Sequence, residues 1–440
     1  MKKKIVYLIL IILGMVFTVG YFRYNPTVNI INTIPASADS VIRINLREVE
    51  YTMIKDVLKH PLSYFDFKKT TSSESKKTIS LINQVEIPKN IFFYTNSKNL
   101  KNTWISSVLK IKNKEKLFKF FKQEGVVKKN KENVAYFAYK KFNYFVKGDE
   151  LKMMFSYNDI TKTELIIDTI FKEGSYLKES NKDLLKLKNN KGLIAMYVKN
   201  NGFFELKKQS QKILIEGELS NNLFLPYEAV ENEQVLALVS GRVNQEFASG
   251  FIKKRQKDKF KKLTNLSLDS INNYWNGELD FSIKSFENKT DTITTYEYDD
   301  DFNKIEKKSI DVKIIPNINF RIGGSTFFDY LYSKKSIQDV EGENIAVINP
   351  LFKTYASKGE KEVVLYSAAN DGFKERGSNK FSFFFNVEKY SGKNRGFYSV
   401  ANKYLEQIQK VRAAITQNNE IKVVIDLKST SLKAISKVLE

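Results

Sequence analysis

The carboxylates give this chain its few routes to chemistry. Glu231 and Glu233, and Asp299 and Asp300, form close acid pairs of the kind that divide acid and base roles in glycoside hydrolysis, although sequence spacing fixes no distance between the groups. Asp299, Asp301 and Asn303 have the spacing of the first ligands of a calcium loop. Such a loop needs a glycine where Lys304 stands and a bidentate glutamate where Ile310 stands, so the segment predicts a hairpin turn instead. Gly323-Gly324-Ser325-Thr326 lacks the Gly-x-x-x-x-Gly-Lys pattern of a phosphate cradle and predicts a turn. Cysteine is absent and His60 is the single histidine. This excludes thiolate nucleophiles, disulfides and cysteine metal sites, and leaves too few imidazoles for a histidine-ligated zinc. A Ser-His-acid triad would have to use His60, which precedes Pro61 at the end of a helical pattern, where an imidazole suits the helix dipole. No catalytic, cofactor-binding or metal-ligating residue is assigned from sequence.

Charge bounds the partners. Lysine and arginine number 72 against 50 acids, a formal net charge of +22. Only nine of the 72 are arginine, the side chain suited to bidentate phosphate and guanine contacts. Tyr136–Lys147 interleaves aromatics with lysines but has no glycines of the RNA-recognition signature. The excess reads as a basic solvated surface, with an envelope protein or an anionic polymer as partner and no nucleic acid. Lys253–Lys262, with seven basic residues in ten, is the strongest cationic run noted.

The elements that must position these residues alternate in type. Val41–Leu46 has the two-residue period of a strand, and Ile54, Val57 and Leu58 in Arg47–Lys59 sit at helical spacing. From Pro88 the order is strand (Ile91–Tyr94), strand (Trp104–Ile111), helix, then strands Val134–Ala138, Phe142–Lys147 and Leu151–Phe155. That helix has Asn113 as its cap, Glu115 in its first turn, Leu117, Phe118 and Phe121 on one face, and Gly125 at its close. Leu165–Phe171 predicts a helix, Gly192–Val198 a strand and Phe203–Leu214 a helix. Composition shifts near Glu216, dividing the chain into a segment 1–23, a first α+β domain 24–215 and a second 216–440. In the second, Gln234–Gly241, Leu279–Ile283, Ile318–Ile322, Val363–Ser367, Phe381–Val387 and Ile421–Leu427 predict strands, and Thr292–Tyr298 with Ile305–Ile315 a long hairpin. Tyr398–Ile415 predicts a helix from the stripe Ala401, Tyr404, Leu405, Ile408, Val411 and Ile415, and Ser431–Leu439 predicts a last one.

The two ends echo each other. Ile42-x-Ile44-x-Leu46-Arg47 is followed by Ile54, Val57 and Leu58, and Val423-x-Ile425-x-Leu427-Lys428 by Ile435, Val438 and Leu439 at the same offsets. This reads as a divergent strand–loop–helix duplication. The expected fold class is α+β: an N-terminal transmembrane helix, then duplicated strand–helix units in largely antiparallel sheets with helices packed on one face.

Ile5–Phe22 is an uncharged run of 18 residues. As a helix it would be about 27 Å long, close to the ~30 Å hydrocarbon core of a bilayer. Lys2, Lys3 and Lys4 precede it and only Arg23 follows closely, which puts the N-terminus in the cytoplasm and residues 24–440 outside, in the periplasm. A cleaved signal peptide is the competing reading, against the length of the run and its lack of an Ala-x-Ala exit. Soon after it, Pro35-Ala-Ser-Ala-Asp39-Ser-Val41-Ile-Arg-Ile-Asn-Leu46 resembles the opening of a family of uncharacterised, membrane-anchored bacterial cell-envelope proteins, with its proline, Ala-Asp, short apolar strand and helix. The resemblance implies an exported, membrane-attached protein and carries no catalytic residues. The expected function is a single-pass membrane protein, held in the bilayer through residues 5–22, with a non-catalytic binding or structural module. An envelope hydrolase using carboxylate or Ser–Lys chemistry and a polyanion-binding surface protein are the alternatives.

Overall fold

A computed structural model describes residues 34–59, 81, 83–95, 104–131, 133–139, 142–156, 176–178, 180–250, 254–298, 302–347, 351–368, 372–373, 375–391 and 405–429. The chain divides into two compact units, the first reaching Ser210 and taking in Leu214–Ser220, the second holding Gln211–Ile213 and Asn221–Ser429.

The first unit is built from β1 (Ser40–Asn45), α1 (Leu46–Lys59), β2 (Asn90–Thr95), β3 (Trp104–Lys110), α2 (Lys114–Gln123), β4 (Lys129–Lys131), β5 (Val134–Tyr139), β6 (Phe142–Lys147), β7 (Glu150–Ser156), α3 (Lys182–Asn189), β8 (Ile194–Val198), β9 (Gly202–Gln209) and β10 (Lys212–Leu219). Its strands lie in the order β10-β9-β8-β1-β2-β3-β7-β6-β5-β4, antiparallel from β9 to β4. Successive residues of a strand point to opposite faces, and both faces here are covered. Val108, Val134, Phe145 and Met154 join one core with Leu184 and Leu187 of α3, while their neighbours Leu109, Ala135, Tyr144 and Val146 join another with Leu117, Phe120 and Phe121 of α2. Helix α2 starts where Asn113 accepts a hydrogen bond from the Lys116 amide at 2.8 Å and is followed by Gly125 at φ +70°. Helix α3 is closed from β1: the buried Arg43 guanidinium donates to the carbonyls of Asn190 and Gly192, the latter at 2.7 Å.

The second unit repeats the same strand order. Its elements are β11 (Ala237–Arg242), α4 (Gln245–Ser249), α5 (Lys254–Thr264), α6 (Leu268–Tyr274), β12 (Glu278–Tyr298), β13 (Lys304–Gly323), α7 (Phe327–Ser333), β14 (Ile337–Val340), β15 (Glu343–Ala346), β16 (Tyr355–Lys358), β17 (Glu362–Tyr366), β18 (Phe381–Asn386), α8 (Val387–Ser391), β19 (Ile408–Ile415) and β20 (Glu420–Leu427). Its strands run β20-β19-β18-β11-β12-β13-β17-β16-β15-β14, antiparallel throughout. One face, with Phe320, Ile322, Val363 and Leu365, packs against Phe260 of α5, Ile271 of α6 and Phe327, Tyr330 and Leu331 of α7. The other carries Leu238 and Phe384 under a loop that contributes Val230 and Val235.

Four expectations are corrected. The content is α+β, but the chain is dominated by antiparallel sheet rather than strand–helix pairs, and in the first unit helices cover both faces. The single-pass membrane reading, with residues 24–440 placed in the periplasm, is overturned: among the described residues no helix is long and apolar enough to cross a membrane. Residues 5–22, on which it rested, lie outside the described residues, as do His60, Leu165–Phe171 and Ser431–Leu439. Phe203–Leu214 is not a helix but most of β9, a turn at Ser210 (φ +50°) and the start of β10. Glycines permit the close approach there: a Cβ on Gly202 would lie 1.9 Å from the Glu218 carbonyl oxygen, and one on Gly217 2.2 Å from that of Phe203. Within Tyr398–Ile415, residues 398–404 lie outside the described residues, and Ile408–Ile415 is β19, paired on both sides by β18 and β20. Val411 and Ile415 of that stripe also alternate with Ala413 at a two-residue period, and tertiary pairing decides between the two readings.

Phe121 is fully buried, with its ring stacked 4.3 Å from that of Phe137. Phe121→Ala is expected to cost about 3–5 kcal/mol in urea denaturation. Lys119→Ala, on the exposed side of the same helix, should stay within about 0.5 kcal/mol of the parent.

Candidate functional site

The register of the second unit lines up a polar row on one face of its sheet. Lys422, Ala414, Ser382, Ser240, Asp280 and Arg321 are successive cross-strand partners from β20 to β13. Asp280, Ser240 and Ser382 are buried. A buried carboxylate must find partners, because removing it from water unpaired is prohibitive. Asp280 finds four. Ser240 Oγ donates to it at 2.6 Å, Tyr227 Oη at 3.0 and 3.1 Å, and Arg321 and Arg376 each at 3.0 Å. Arg321 also donates to Tyr227 Oη at 2.8 Å and pairs with Glu278 at 3.1 Å and with Glu362. Burial pulls the Arg321 guanidinium down, but Glu362, Tyr227 and Asp280 outweigh it and hold the group above its ordinary value. With its lone pairs this fully engaged, Asp280 organises structure and is not placed to move protons.

The rest of the row opens into a groove of about 440 Å³ over β18, β19 and β20. Its floor includes Ser382, Phe384, Arg412, Ala414, Lys422 and Val424, which share one face of these strands, and loop residues Glu231, Glu233, Glu375 and Asn379 form its wall. Arg412 donates to both Glu233 oxygens at 3.1 and 3.3 Å and pairs with Asp426. Burial lowers this guanidinium, yet Glu233 and Asp426 together keep it above its ordinary value. Glu231 accepts from Asn379 Nδ2 at 2.7 Å. Glu375 and Lys422 form no ion pair among the described residues. The wall is held in place by the network beside it. Arg376 donates to the Glu228 carbonyl at 2.8 Å, and Gln417 to the carbonyls of Tyr227 and Ser378 at 2.7 and 3.0 Å.

The structure separates the residues singled out in the sequence. Glu231 and Glu233 both reach the groove. Asp299, Asp300 and Asp301 lie outside the described residues, and Asn303 stands just before β13 with Lys304 Nζ 3.7 Å over the Tyr296 ring. Gly323 and Gly324 make the turn into α7, and a Cβ on Gly324 would lie 2.1 Å from the Tyr274 carbonyl oxygen. The aromatics Phe137, Tyr144 and Phe145 are core. Lys253–Lys262 is largely α5, anchored by Phe260 and with Lys257 paired to Asp269 at 2.6 Å. Among the described residues no cluster of three His, Asp or Glu side chains could hold a metal. Asp280, Arg321, Arg376, Arg412, Glu375 and Lys422 escaped sequence reasoning. The available signal was Leu279-Asp280-Phe281, an acid within an apolar strand that has to be paired once buried.

No family model matches the chain, and no curated protein matches it. Among solved structures, crystal form III of TP0453 is similar at 8% identity over 54% of this chain and 88% of that one, with a TM-score of 0.29. Crystal form I of TP0453, at 11% identity over 44% and 80%, also scores 0.29. Likeness at that level carries neither fold nor function.

Asp280→Asn would leave Arg321 and Arg376 facing a neutral amide, and a loss of about 3–5 kcal/mol is expected in urea denaturation. Tyr227 supplies a pH test. Burial and, after it, the Asp280 charge push its phenol up to about 12 against the opposing arginines. The folded value is raised, so the unfolded chain loses this proton first. The stability Tyr227 contributes is complete below about pH 10 and lost as pH rises towards 12. Tyr227→Phe should therefore show a shallower alkaline fall of the thermal midpoint than the parent.

Proposed function

We propose that the chain is a non-catalytic binding protein, and that its second unit takes a short zwitterionic ligand, a peptide or amino-acid derivative, in the groove over β18–β20. The carrying observation is the pair of charges lining it that form no ion pair among the described residues, Glu375 on the loop wall and Lys422 on the strand floor. A ligand ammonium group would be met by Glu375 with Glu231 beside it, and a ligand carboxylate by Lys422. Charge-assisted hydrogen bonds of this kind are the strong ones. The volume falls in the ~300–1,000 Å³ range of small-molecule sites. Hydrolysis by a carboxylate pair is the weaker reading, because Glu233 is neutralised by Arg412 and Glu231 is held by Asn379. A general acid and base must both be free to exchange protons with the substrate.

Calorimetric titration with trilysine and its C-terminal amide tests the reading. Trilysine should bind, and Glu375→Gln should weaken it about tenfold, the effect of roughly 1.4 kcal/mol. The amide should bind more weakly than trilysine to the parent and equally to Lys422→Gln. No heat from trilysine, or binding indifferent to both substitutions, would remove the groove as the site.

A further inference from the structure

The strand register gives the groove a direction. The loop carrying Glu375 is fastened above β11: Ser240 Oγ accepts from the Val230 amide at 2.6 Å, Val230 bridges to Arg376, and the Glu231 amide donates to the Glu375 carbonyl at 3.1 Å. Lys422 lies on β20, at the far side of the floor. A line from Glu375 to Lys422 therefore crosses β18 and β19, and the residues beneath it are the cross-strand partners Ser382, Ala414 and Lys422.

This row offers a polar group between the two charges. Ser382 lines the groove and is 8% exposed, and its hydroxyl has no hydrogen-bond partner among the described residues. The next hydroxyl in the row, that of Ser240, is already donated to Asp280 at 2.6 Å. Ala414, with a single methyl group, stands between Ser382 and Lys422 and leaves the floor low there. A hydroxyl can donate one hydrogen bond and accept two, so Ser382 is available to a group laid over it.

Scale separates the ligand classes. Ser382 and Lys422 stand two strands apart, about 10 Å at ~4.8 Å per strand. An extended chain advances at most ~3.6 Å per residue. A single amino acid covers roughly a third of that stretch, whereas about three residues span it and carry their peptide groups across Ala414 and Ser382.

We infer that the groove takes a peptide of about three residues laid across the strands, and that Ser382 reads its main chain by donating to a peptide carbonyl. With the groove as the site proposed above, Glu375 and Lys422 meet the end charges, and Ser382 tells a peptide from any other zwitterion of the same length.

Calorimetric titration of the full-length protein tests this with trilysine and two competitors, triglycine and ω-aminooctanoate. The competitors have equal numbers of chain atoms between ammonium and carboxylate, but ω-aminooctanoate has no peptide group. Ser382→Ala should weaken trilysine about fivefold with an unchanged thermal midpoint, the loss expected for one neutral hydrogen bond. Triglycine should displace trilysine from the parent better than ω-aminooctanoate does, and the two should become equal on Ser382→Ala. Trilysine held equally by parent and variant, equal displacement by the two competitors from the parent, or a loss on Ser382→Ala shared by ω-aminooctanoate would each overturn the peptide assignment and leave the groove as a site. Trilysine that fails to bind the parent would remove the groove itself.

Discussion

A carboxylate sealed from water has to be answered where it stands, and Asp280 imposes that demand on the second unit. It sits between Ser240 and Arg321 in the strand register, so two of its partners arrive with the sheet itself. The other two, Tyr227 and Arg376, come from loops on either side of the sequence and must be drawn over the sheet to reach it. Clusters of buried charge seldom stabilise a protein more than a well-packed apolar replacement would, because desolvation consumes the Coulombic gain. Their effect is on geometry. Arg376 cannot meet both Asp280 and the Glu228 carbonyl unless the loops holding Glu231, Glu375 and Asn379 lie where they do. The wall of the groove is thus set by a residue outside its lining.

The first unit solves the equivalent problem with a helix. There the buried polar residue of the leading strand is Arg43, which holds the end of α3, and Leu184 and Leu187 of that helix fill the face of the sheet. In the second unit Ser240 takes the corresponding role: its Oγ accepts from the Val230 amide at 2.6 Å and so fastens the loop above it. In the first unit a helix that seats two leucines covers this face of the sheet. In the second a loop fixed by polar contacts covers it, and the groove lies beside that loop. The same strand order therefore carries two kinds of cover.

Segments with a local signal were legible in the sequence, and those decided by distant pairing were not. Asn113 and Gly125 bracket α2, and the alternation in β1, β5, β6 and β7 and in the long hairpin is visible without a structure. Phe203–Leu214 and Ile408–Ile415 carry apolar residues that satisfy a helical period nearly as well as a two-residue one, and only their neighbours across the sheet settle the matter. The echo between the two ends compared β1 with β20, whereas the strand orders set β1 beside β11 in rank. Its offsets were those any amphipathic strand–helix pair can share. At the groove, Glu231 and Glu233 stood out as neighbours in sequence, but Arg412 is 179 positions from the glutamate it binds, and no local pattern encodes such a contact.

The chain supplies its own comparison for what the fold does not require. A strand of five or six residues suffices to cross a sheet of this kind, and β2 and β3 meet that need at 6 and 7. Beyond Ser285 and Asn317 no third strand pairs with β12 or β13 among the described residues, yet Ile305, Ile310, Val312 and Ile314 stay exposed there among lysines. Isolated two-stranded ribbons are marginal in water, so a long one with a dry-favouring face is costly unless that face is covered for part of its life. Ile310, Val312 and Ile314 stand opposite Thr292, Thr290 and Asn288, and Lys308, Glu306 and Lys304 follow on the same face nearer the turn, so apolar and charged positions share a length of ribbon to which β2 and β3 have no counterpart.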